Sequence, residues 1–250
     1  MDTPAVDGSK SLLNIRLVLE SDEEGGFLSP KLSPDNLQVM ATRPGYQGVF
    51  LIPATGGPPR RVVDANAYGA DWTDDGQIQL GDRGKKKRYR MDGTEVLSAA
   101  AAALPVDVFC QDDQVYSVPE GGTEPVAITD ASDRFYDPHL CPKHKMIAFS
   151  GLQTGLYLAR SSGSGNPIFL GPGQGLSWAP DSSFLVYARV TDDGHSEVES
   201  DLFLYETRSK KLFNLTSGSD LMIHNPSVSK DGKSVVFEAD GALYLADLPS

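Results

Sequence analysis

A short turn motif recurs along the chain and constrains the possible folds more than any other feature. Its clearest copies are Leu-Ser-Pro-Asp at 32–35, Trp-Thr-Asp-Asp-Gly at 72–76, Trp-Ala-Pro-Asp-Ser at 178–182 and Val-Ser-Lys-Asp-Gly at 228–232. Two weaker copies are Phe-Cys-Gln-Asp at 109–112 and Leu-Cys-Pro-Lys at 140–143. Pro, Asp and Gly favour tight turns, and the copies precede short apolar runs that are typical of β-strands.

The spacing of these copies indicates one repeating unit. Counting from the fourth residue of each copy, here called the anchor, gives positions 35, 75, 112, 143, 181 and 231, about 39 residues apart on average. A turn-rich unit of about 40 residues is typical of a β-propeller blade. We therefore predict an all-β fold, a six-bladed β-propeller over residues 12–250, with residues 1–11 as an N-terminal tail. The third blade is short and is expected to have a missing or minimal strand.

The two ends of the sequence are predicted to meet in one blade. After the sixth anchor only two strand-like runs remain, at 234–238 and 242–246. The strand-like segment 12–20 precedes the first anchor. We predict that this segment completes the last blade and closes the ring, because an open sheet edge would otherwise invite aggregation.

The Leu-Ser-Pro-Asp and Trp-Ala-Pro-Asp turns, each followed by an apolar strand, resemble the WD-like Ser-Pro-Asp repeats of TolB-type six-bladed propellers. The resemblance covers about residues 12–250 and is informative mainly about fold, because one fold hosts many functions. It implies a repeat protein that binds partner proteins at the bacterial cell envelope. It also implies a periplasmic or otherwise extracytoplasmic location if a leader has been removed; otherwise we expect a cytoplasmic protein.

Alternation along the predicted inner strands assigns their side chains to two faces. Large apolar residues stand three positions before each anchor and are predicted to pack between blades: Leu32, Trp72, Phe109, Leu140, Trp178 and Val228. The residues four and two positions before the anchors are then predicted to line a wet central channel. They are Lys31, Ser33, Asp71, Thr73, Val108, Cys110, His139, Cys141, Ser177, Ala179, Ser227 and Ser229.

One mouth of this channel is the predicted binding site, with further polar residues on the loops that lead into the inner strands. The predicted partner-binding residues are Lys31, Asp71, Asp137, His139, Ser177, His224, Asn225 and Ser227. The favoured function is a non-catalytic scaffold that binds a protein or peptide segment on a rigid surface. The alternatives are an ordinary solvated channel, a purely structural accessory domain, and a metal-dependent or small-molecule module related to hydrolases or lyases.

Catalytic motifs do not support an enzyme. The sequence has no Gly-x-Ser-x-Gly nucleophile elbow, no Ser-x-Asp-x-Gly box, and four histidines without ligand-type spacing. We predict no catalytic residues and no cofactor, with calcium as the one alternative because Asp71 and Asp137 offer hard oxygen ligands. Cys110 and Cys141 hold equivalent positions in adjacent blades, and the sequence leaves open whether they form a disulfide.

Charge and hydropathy limit the partners. The net charge of −12 and the pI near 4.7 disfavour nucleic acid, and no apolar run is long enough to span a bilayer. We expect no nucleic-acid partner, no membrane insertion and a monomer. The basic run 85–88 is expected to be a solvated hairpin tip, or otherwise a contact for an acidic partner. The acidic stretch 192–201 is expected to be a solubilising loop, or otherwise a weak calcium site.

Overall fold

The computed structural model describes residues 3–22, 25–82, 85–96, 107–118, 122–192, 194–195 and 197–249. These residues form strands and turns and include no helix that could cross a membrane. In chain order the strands are β1 (Val6–Asp7), β2 (Leu13–Leu19), β3 (Leu28–Leu32), β4 (Gln38–Arg43), β5 (Gln47–Pro53), β6 (Arg60–Asn66), β7 (Asp71–Trp72), β8 (Ile78–Asp82), β9 (Lys85–Tyr89), β10 (Glu95–Val96), β11 (Asp107–Gln111), β12 (Gln114–Val118), β13 (Val126–Ala127), β14 (Phe135–Leu140), β15 (Met146–Gly151), β16 (Gly155–Arg160), β17 (Ile168–Gly171), β18 (Gln174–Trp178), β19 (Phe184–Asp192), β20 (Glu197–Glu206), β21 (Leu212–Asn214), β22 (Ile223–Val228), β23 (Ser234–Ala239) and β24 (Ala242–Asp247).

Within the described residues these strands form six sheets, which follow one another along the chain as predicted for blades. We number them blade 1 (β3–β6), blade 2 (β7–β10), blade 3 (β11–β13), blade 4 (β14–β17), blade 5 (β18–β21) and blade 6 (β22–β24). The prediction of an all-β fold is therefore confirmed. The chain divides into two compact units: the first is Met1–Lys10 with Ala102–Ser217, and the second is Ser11–Ala101 with Gly218–Ser250. A single domain over 12–250 stays a prediction.

The second unit contains blades 1, 2 and 6. Strand β2 pairs antiparallel with β24, with Leu17 opposite Tyr244, so the N-terminal segment forms the fourth strand of blade 6 as predicted. One apolar cluster joins strands of blades 6 and 1 through residues such as Phe27 and Val236. A second cluster joins blades 1 and 2 around Trp72. Burial of these apolar side chains is what holds the sheets of this unit together.

The first unit contains blades 3, 4 and 5. Its apolar clusters join blade 4 to blade 5 around Tyr187 and blade 3 to blade 4 around Phe149. Residues 1–11, predicted as an N-terminal tail, include β1, which pairs in parallel with β21 as a fifth strand of the blade 5 sheet. This pairing covers a sheet edge. The Lys10–Glu206 ion pair, with Nζ and Oε1 2.8 Å apart, ties the segment to the same blade.

Blade 3 has three strands within the described residues, in agreement with the short repeat there. Gln111 pairs with Gln114 across a two-residue hairpin turn. The turn residues Asp112 and Asp113 have φ of 51° and 59°. Two successive left-handed residues are the signature of a type I′ turn, whose twist matches that of antiparallel strands. The segment with the weak motif at the third anchor therefore forms a tighter turn than the corresponding segments of the other blades.

The six turns share one backbone feature. The residue after each anchor has a left-handed φ, between 58° and 77°: Asn36, Gly76, Asp113, His144, Ser182 and Gly232. In blade 1 the turn is closed by Ser33, whose N–H donates to the carbonyl of Gln38 at 2.8 Å. The Ser33 hydroxyl accepts from the N–H of Gln38 at 2.9 Å and donates to Asp35 at 2.5 Å. Ser229 makes the same set of bonds in blade 6.

The prediction that residues two positions before the anchors line a wet channel is wrong in four of the six blades; Thr73 is half-buried and Cys110 is exposed. Ser33, Cys141, Ala179 and Ser229 are buried, with at most 1% of their surface exposed. Their side chains turn back into the hairpin, where a hydroxyl or thiol can accept a backbone N–H. Cys141 Sγ accepts the N–H of Met146 at 3.3 Å in this way. Both cysteines are free thiols, with Cys110 exposed and Cys141 buried.

Two charged segments also differ from expectation. The basic run 85–88 is not a hairpin tip, because it lies within strand β9, paired with β8. The acidic stretch 192–201 is mostly strand, since β19 and β20 extend into a long hairpin. Asp201, expected in a solvated loop, is buried and accepts hydrogen bonds from Asn214 Nδ2 at 2.7 Å and from Thr216 Oγ1 at 2.8 Å. Cross-strand pairing thus satisfies polar groups that the sequence pattern assigned to solvent.

Candidate functional site

The inner strands of blades 1, 4, 5 and 6 share a β-bulge at the same place. In each case an advance of three residues along the inner strand corresponds to an advance of two residues along the neighbouring strand. In blade 4, for example, Tyr136 pairs with Ser150 and His139 pairs with Ala148. Six residues before the anchor the backbone is left-handed in five blades: Ser29, Gly69, Asp137, Gly175 and Asn225 have φ between 45° and 66°. A bulge redirects the side chains around it. It therefore determines where the predicted site residues point.

Two predicted site residues lie on these bulges and not on the loops where we expected them. Asp137 is within β14 and Asn225 is within β22. Asp and Asn tolerate a left-handed backbone better than other non-glycine residues, which explains their presence at these positions. A sequence signal for the bulge exists, because Pro30, Pro138 and Pro226 all stand five residues before an anchor. Proline inside a strand is typical of bulges.

In the second unit Lys31 and Asp71 form an ion pair. Lys31 Nζ lies 3.1 Å from Asp71 Oδ2, and the two side chains are 33% and 55% exposed. Both residues stand four positions before an anchor, in blades 1 and 2. Both side chains are partly accessible to solvent, as the alternation along the inner strands predicted for residues at this position. An exposed pair of this kind contributes little to stability, about 0–1 kcal/mol. Its charged groups therefore remain available to a ligand.

The same unit contains a buried carboxylate that the sequence analysis missed. Glu238 is 6% exposed and accepts hydrogen bonds from Asn225 Nδ2 at 2.5 Å and from the N–H of Ser29 at 3.1 Å. Burial raises the pKa of Glu238, and the two hydrogen bonds partly offset that rise. The matching position in blades 1, 4 and 5 is occupied by smaller, uncharged residues, namely Thr42, Ser150 and Ala188. A glutamate at this position of blade 6 was therefore the sequence signal for the buried carboxylate.

In the first unit Asp137 and His139 form a second polar pair. Asp137 Oδ2 lies 3.1 Å from His139 Nε2, and the side chains are 59% and 40% exposed. The hydrogen bond donated by the imidazole is the main reason that the pKa of Asp137 is lowered. Asp137 therefore remains ionised and orients the ring of His139. Cys110 is exposed as a whole residue, but partial burial of its sulfur raises the pKa of the thiol and favours the protonated form.

Backbone carbonyls next to these residues are fixed by tryptophans of the following blade. Trp72 Nε1 donates to the carbonyl of Lys31 at 3.1 Å, and Trp178 Nε1 donates to the carbonyl of His139 at 3.1 Å. Each tryptophan stands three residues before the anchor of its own blade. The residue whose carbonyl accepts the bond stands four residues before the anchor of the preceding blade. A tryptophan at the apolar position predicted to pack between blades therefore also fixes the backbone carbonyl of a predicted site residue in the preceding blade.

The remaining predicted residues are partly buried on their strands. Ser177 lies in β18 opposite Val186, while His224 and Ser227 flank the bulge of β22. Lys31, Asp71, His224, Asn225 and Ser227 thus belong to the second unit, and Asp137, His139 and Ser177 to the first. That all eight residues share one channel mouth stays a prediction.

Within the second unit the turn ends of the blades are cross-linked. Lys230 Nζ lies 2.6 Å from Asp74 Oδ1, and Asn36 Nδ2 donates to Asp231 at 3.0 Å. These residues adjoin anchors, at the opposite end of the inner strands from the bulges. The bulge end carries Lys31, Asp71 and Asn225, which makes it the candidate binding end of this unit.

Metal ligands are not assembled at these positions. In the part of the chain that the structure describes, no group of three or more His, Cys, Asp and Glu side chains could hold a metal ion. Asp71 is paired with Lys31, and Asp137 with His139. The alternative of a bound calcium ion therefore depends on one carboxylate at a time, either that of Asp71 or that of Asp137.

Solved structures share this fold at low sequence identity. A gluconolactonase from Xanthomonas campestris is 13% identical, with 100% of this chain and 96% of that chain covered and a TM-score of 0.61. A chain of the mitotic checkpoint complex is 13% identical, with 100% and 98% covered and a TM-score of 0.59. These proteins are β-propellers. This chain has the fold of a β-propeller.

At this identity the likeness shows the fold and not the activity. A TolB candidate from Agrobacterium tumefaciens is 16% identical over 86% of this chain and 70% of that chain, but its TM-score of 0.37 is too low to support an argument about family. No protein family and no curated protein matches the sequence.

Proposed function

We propose that this β-propeller is a non-catalytic scaffold that binds a protein segment at the bulge end of its inner strands. The observation that carries the proposal is the Lys31–Asp71 pair, which is partly exposed yet held at 3.1 Å beside the ordered bulges of blades 1 and 6. Polar groups held in place before binding lose little entropy when a partner arrives.

The chemistry of this cluster suits a polar peptide. Lys31 offers an ammonium group, Asp71 a carboxylate, and Asn225 an amide whose position is set by Glu238. A segment carrying both charges and backbone amides can pair with all three groups. In the first unit, Asp137 and His139 offer a carboxylate and an imidazole in the same manner.

The proposal is tested by affinity capture from extract of the native source, with identification of the captured protein and measurement of its Kd. The variant Lys31→Ala/Asp71→Ala removes the pair without changing net charge. The matched control Lys230→Ala/Asp74→Ala removes an ion pair of the same unit at the turn end. We expect the wild type and the control to bind the same protein, and the Lys31/Asp71 variant to lose it.

Binding that survives in both variants would place the contact elsewhere on the molecule. The variant Asp137→Asn/His139→Gln then tests the pair of the first unit in the same way. Loss of binding in the turn-end control would contradict the proposed location, because that pair lies at the other end of the strands.

The resemblance of the turns to TolB-type repeats supports a more specific form of the proposal. We infer a TolB-like propeller that works outside the cytoplasm and binds an envelope protein as a monomer. The acidic surface, with a net charge of −12, supports a protein partner over nucleic acid. Cell fractionation followed by immunoblotting tests the location.

A second candidate function is a metal-dependent or small-molecule activity, which the Asp137–His139 pair favours. A carboxylate that orients an imidazole is a common arrangement around metal ligands and general bases. The fold is shared with a gluconolactonase, so the assay is hydrolysis of D-glucono-1,5-lactone with and without Ca²⁺ or Zn²⁺. Metal-dependent turnover by the wild type, lost in His139→Gln, would favour this function over the scaffold.

A further inference from the structure

A cleft of about 430 Å³ lies in the second unit, and none of the predicted partner-binding residues lines it. It is lined by Ala65, Asn66, Tyr68, Leu80, Gly81, Lys87 and Tyr89. These residues come from the end of β6, the segment after it, and the β8–β9 hairpin. The volume is that of a site for a small molecule.

The cleft has an apolar floor and a polar rim. Leu80 and Tyr89 are buried at 2% and 8% exposure and belong to the core between blades 1 and 2. Asn66, Tyr68 and Lys87 are exposed at the rim. A few polar groups placed over an apolar surface are typical of small-molecule sites, where they fix the orientation of the ligand.

Tyr68 is the most unusual rim residue, because its large aromatic side chain is 65% exposed. Its ring packs edge-to-face on Tyr46, with centroids 5.0 Å apart and an interplanar angle of 89°. Its backbone N–H donates to Asn66 Oδ1 at 3.0 Å. An aromatic ring held in this way offers a flat apolar face to a ligand at little entropic cost.

The segment that contains the cleft residues has a charge opposite to that of the whole chain. Residues 60–90 contain eight of the 22 Lys and Arg residues but only five of the 34 Asp and Glu residues. The basic strand β9 contributes Lys87 directly to the rim. A local positive region on an acidic protein attracts anions.

We propose that this cleft binds a carboxylated sugar. Such a ligand has an apolar C–H face for Tyr68, a carboxylate for Lys87 and hydroxyl groups for the amide of Asn66. A flat hydrocarbon would leave Lys87 and Asn66 unpaired, and a small acyclic anion would not use the ring of Tyr68. The combination of groups therefore selects a ligand with both a ring and a negative charge.

Tyr68 provides a way to test the cleft without disturbing the fold. Its side chain is 65% exposed and lies on the rim, so Tyr68→Ala removes the aromatic face without opening the core. Lys87→Gln removes the cation of the rim, and Arg90→Gln is the matched control, since Arg90 is exposed and not part of the lining.

The test is isothermal titration calorimetry at low salt with trigalacturonic acid, maltotriose as a neutral trisaccharide, and citrate as an anion without a ring. We expect only trigalacturonic acid to bind to the wild type. Tyr68→Ala should weaken binding about tenfold, as expected for a lost aromatic contact of about 1.4 kcal/mol. Lys87→Gln should weaken it about fivefold, as expected for one exposed ion pair of about 1 kcal/mol, and Arg90→Gln should leave it unchanged.

Several outcomes overturn the proposal. Equal binding of maltotriose would remove the role of Lys87, and equal binding of citrate would remove the role of the ring. Unchanged binding to Tyr68→Ala would place the ligand elsewhere, and absence of binding at millimolar ligand would exclude this class of sugar. Thermal unfolding of Tyr68→Ala verifies that the variant is folded.

Discussion

The side-chain amide of Asn225 donates a hydrogen bond to the buried carboxylate of Glu238, with Nδ2 and Oε1 2.5 Å apart. The other oxygen of Glu238 accepts the backbone N–H of Ser29 at 3.1 Å. Asn225 and Ser29 hold the same bulge position in blades 6 and 1, six residues before their anchors. One carboxylate therefore fixes two repeated bulges of the second unit. Without these donors, burial of the charge would be strongly unfavourable.

Glu238→Ala should lower the free energy of unfolding by about 1–3 kcal/mol, because two backbone or side-chain donors lose a charged acceptor. Ser150→Ala is the matched control at the equivalent position of blade 4, and we expect a smaller loss there. Urea denaturation followed by tryptophan fluorescence measures both. A Glu238→Ala variant as stable as the wild type would show that the carboxylate does not hold the bulges.

The stability of the wild type should depend on pH through Glu238. Burial raises the pKa of this carboxyl in the folded protein, so the folded state binds the proton more tightly than the unfolded chain does. Stability from this group is therefore greatest below the unfolded pKa of about 4.3 and is lost as pH rises through the higher folded pKa. Glu238→Gln cannot titrate.

We expect the difference in unfolding free energy, wild type minus Glu238→Gln, to fall as pH rises from about 4 towards neutrality. Urea denaturation at several pH values measures this difference. A difference that stays constant, or that grows with pH, would mean that the pKa of Glu238 is not raised in the folded protein.

Local chemistry explains which features the sequence could predict. The turns were predictable because Pro, Asp and Gly dictate them at the anchors, and the apolar position at Trp72 followed from strand alternation. The position of Ser33 was mispredicted because its hydroxyl bonds within the turn, which places it in the hairpin interior despite its polarity. Period-2 alternation assumes a regular strand that continues to the turn.

The site itself was less predictable, for reasons that depend on tertiary contacts. The bulge shifts the alternation by one residue, so Asp137 and Asn225 seemed to precede their strands. Glu238 was missed because a charged residue in a strand is usually solvent-exposed. Its donors come from Asn225 and from Ser29, which are distant in sequence. No local pattern specifies such a contact.

The tryptophan bonds to the preceding blade predict a measurable cost. Trp178→Phe removes the N–H that donates to the carbonyl of His139, and Trp72→Phe removes the one that donates to Lys31. We expect each change to lower the free energy of unfolding by about 1 kcal/mol. The chain has two tryptophans, so each variant retains one fluorescent reporter.

Leu32 and Leu140 hold the same position in other blades, which shows that the fold accepts a residue without this N–H. The Phe variants should therefore fold. A loss well below 0.5 kcal/mol in both variants would mean that water replaces the indole at these carbonyls.

Ala179→Ser should stabilise the protein. Ser33 and Ser229 hold the equivalent position in blades 1 and 6, where a buried hydroxyl accepts a backbone N–H across the turn. Ala179 lacks this acceptor, so adding a hydroxyl should raise the free energy of unfolding by about 0.5–1 kcal/mol. Ser229→Ala is the reciprocal change and should lower it by a similar amount. Urea denaturation compares the two, and a destabilised Ala179→Ser would mean that the hydroxyl finds no partner in blade 5.

Substitutions at Asp137 can distinguish the effect of the left-handed backbone at the bulge from the effect of the carboxylate. Its φ of 51° is left-handed, and Gly175 holds the same position in blade 5 with φ of 65°. Asp137→Gly and Asp137→Asn should therefore fold with stability within about 0.5–1 kcal/mol of the wild type, while Asp137→Val should lose about 1–3 kcal/mol, because a β-branched residue is strained there. Thermal and urea unfolding measure the series.

The same series tests the role of Asp137 in binding. Asp137→Gly and Asp137→Asn both remove the charge that pairs with His139, so a partner that needs this pair should be lost in both variants although they remain folded. If only Asp137→Val lost the partner, the backbone of the bulge and not the carboxylate would be what the partner requires. Equal stability of the Val and Asn variants would contradict a left-handed backbone at this position.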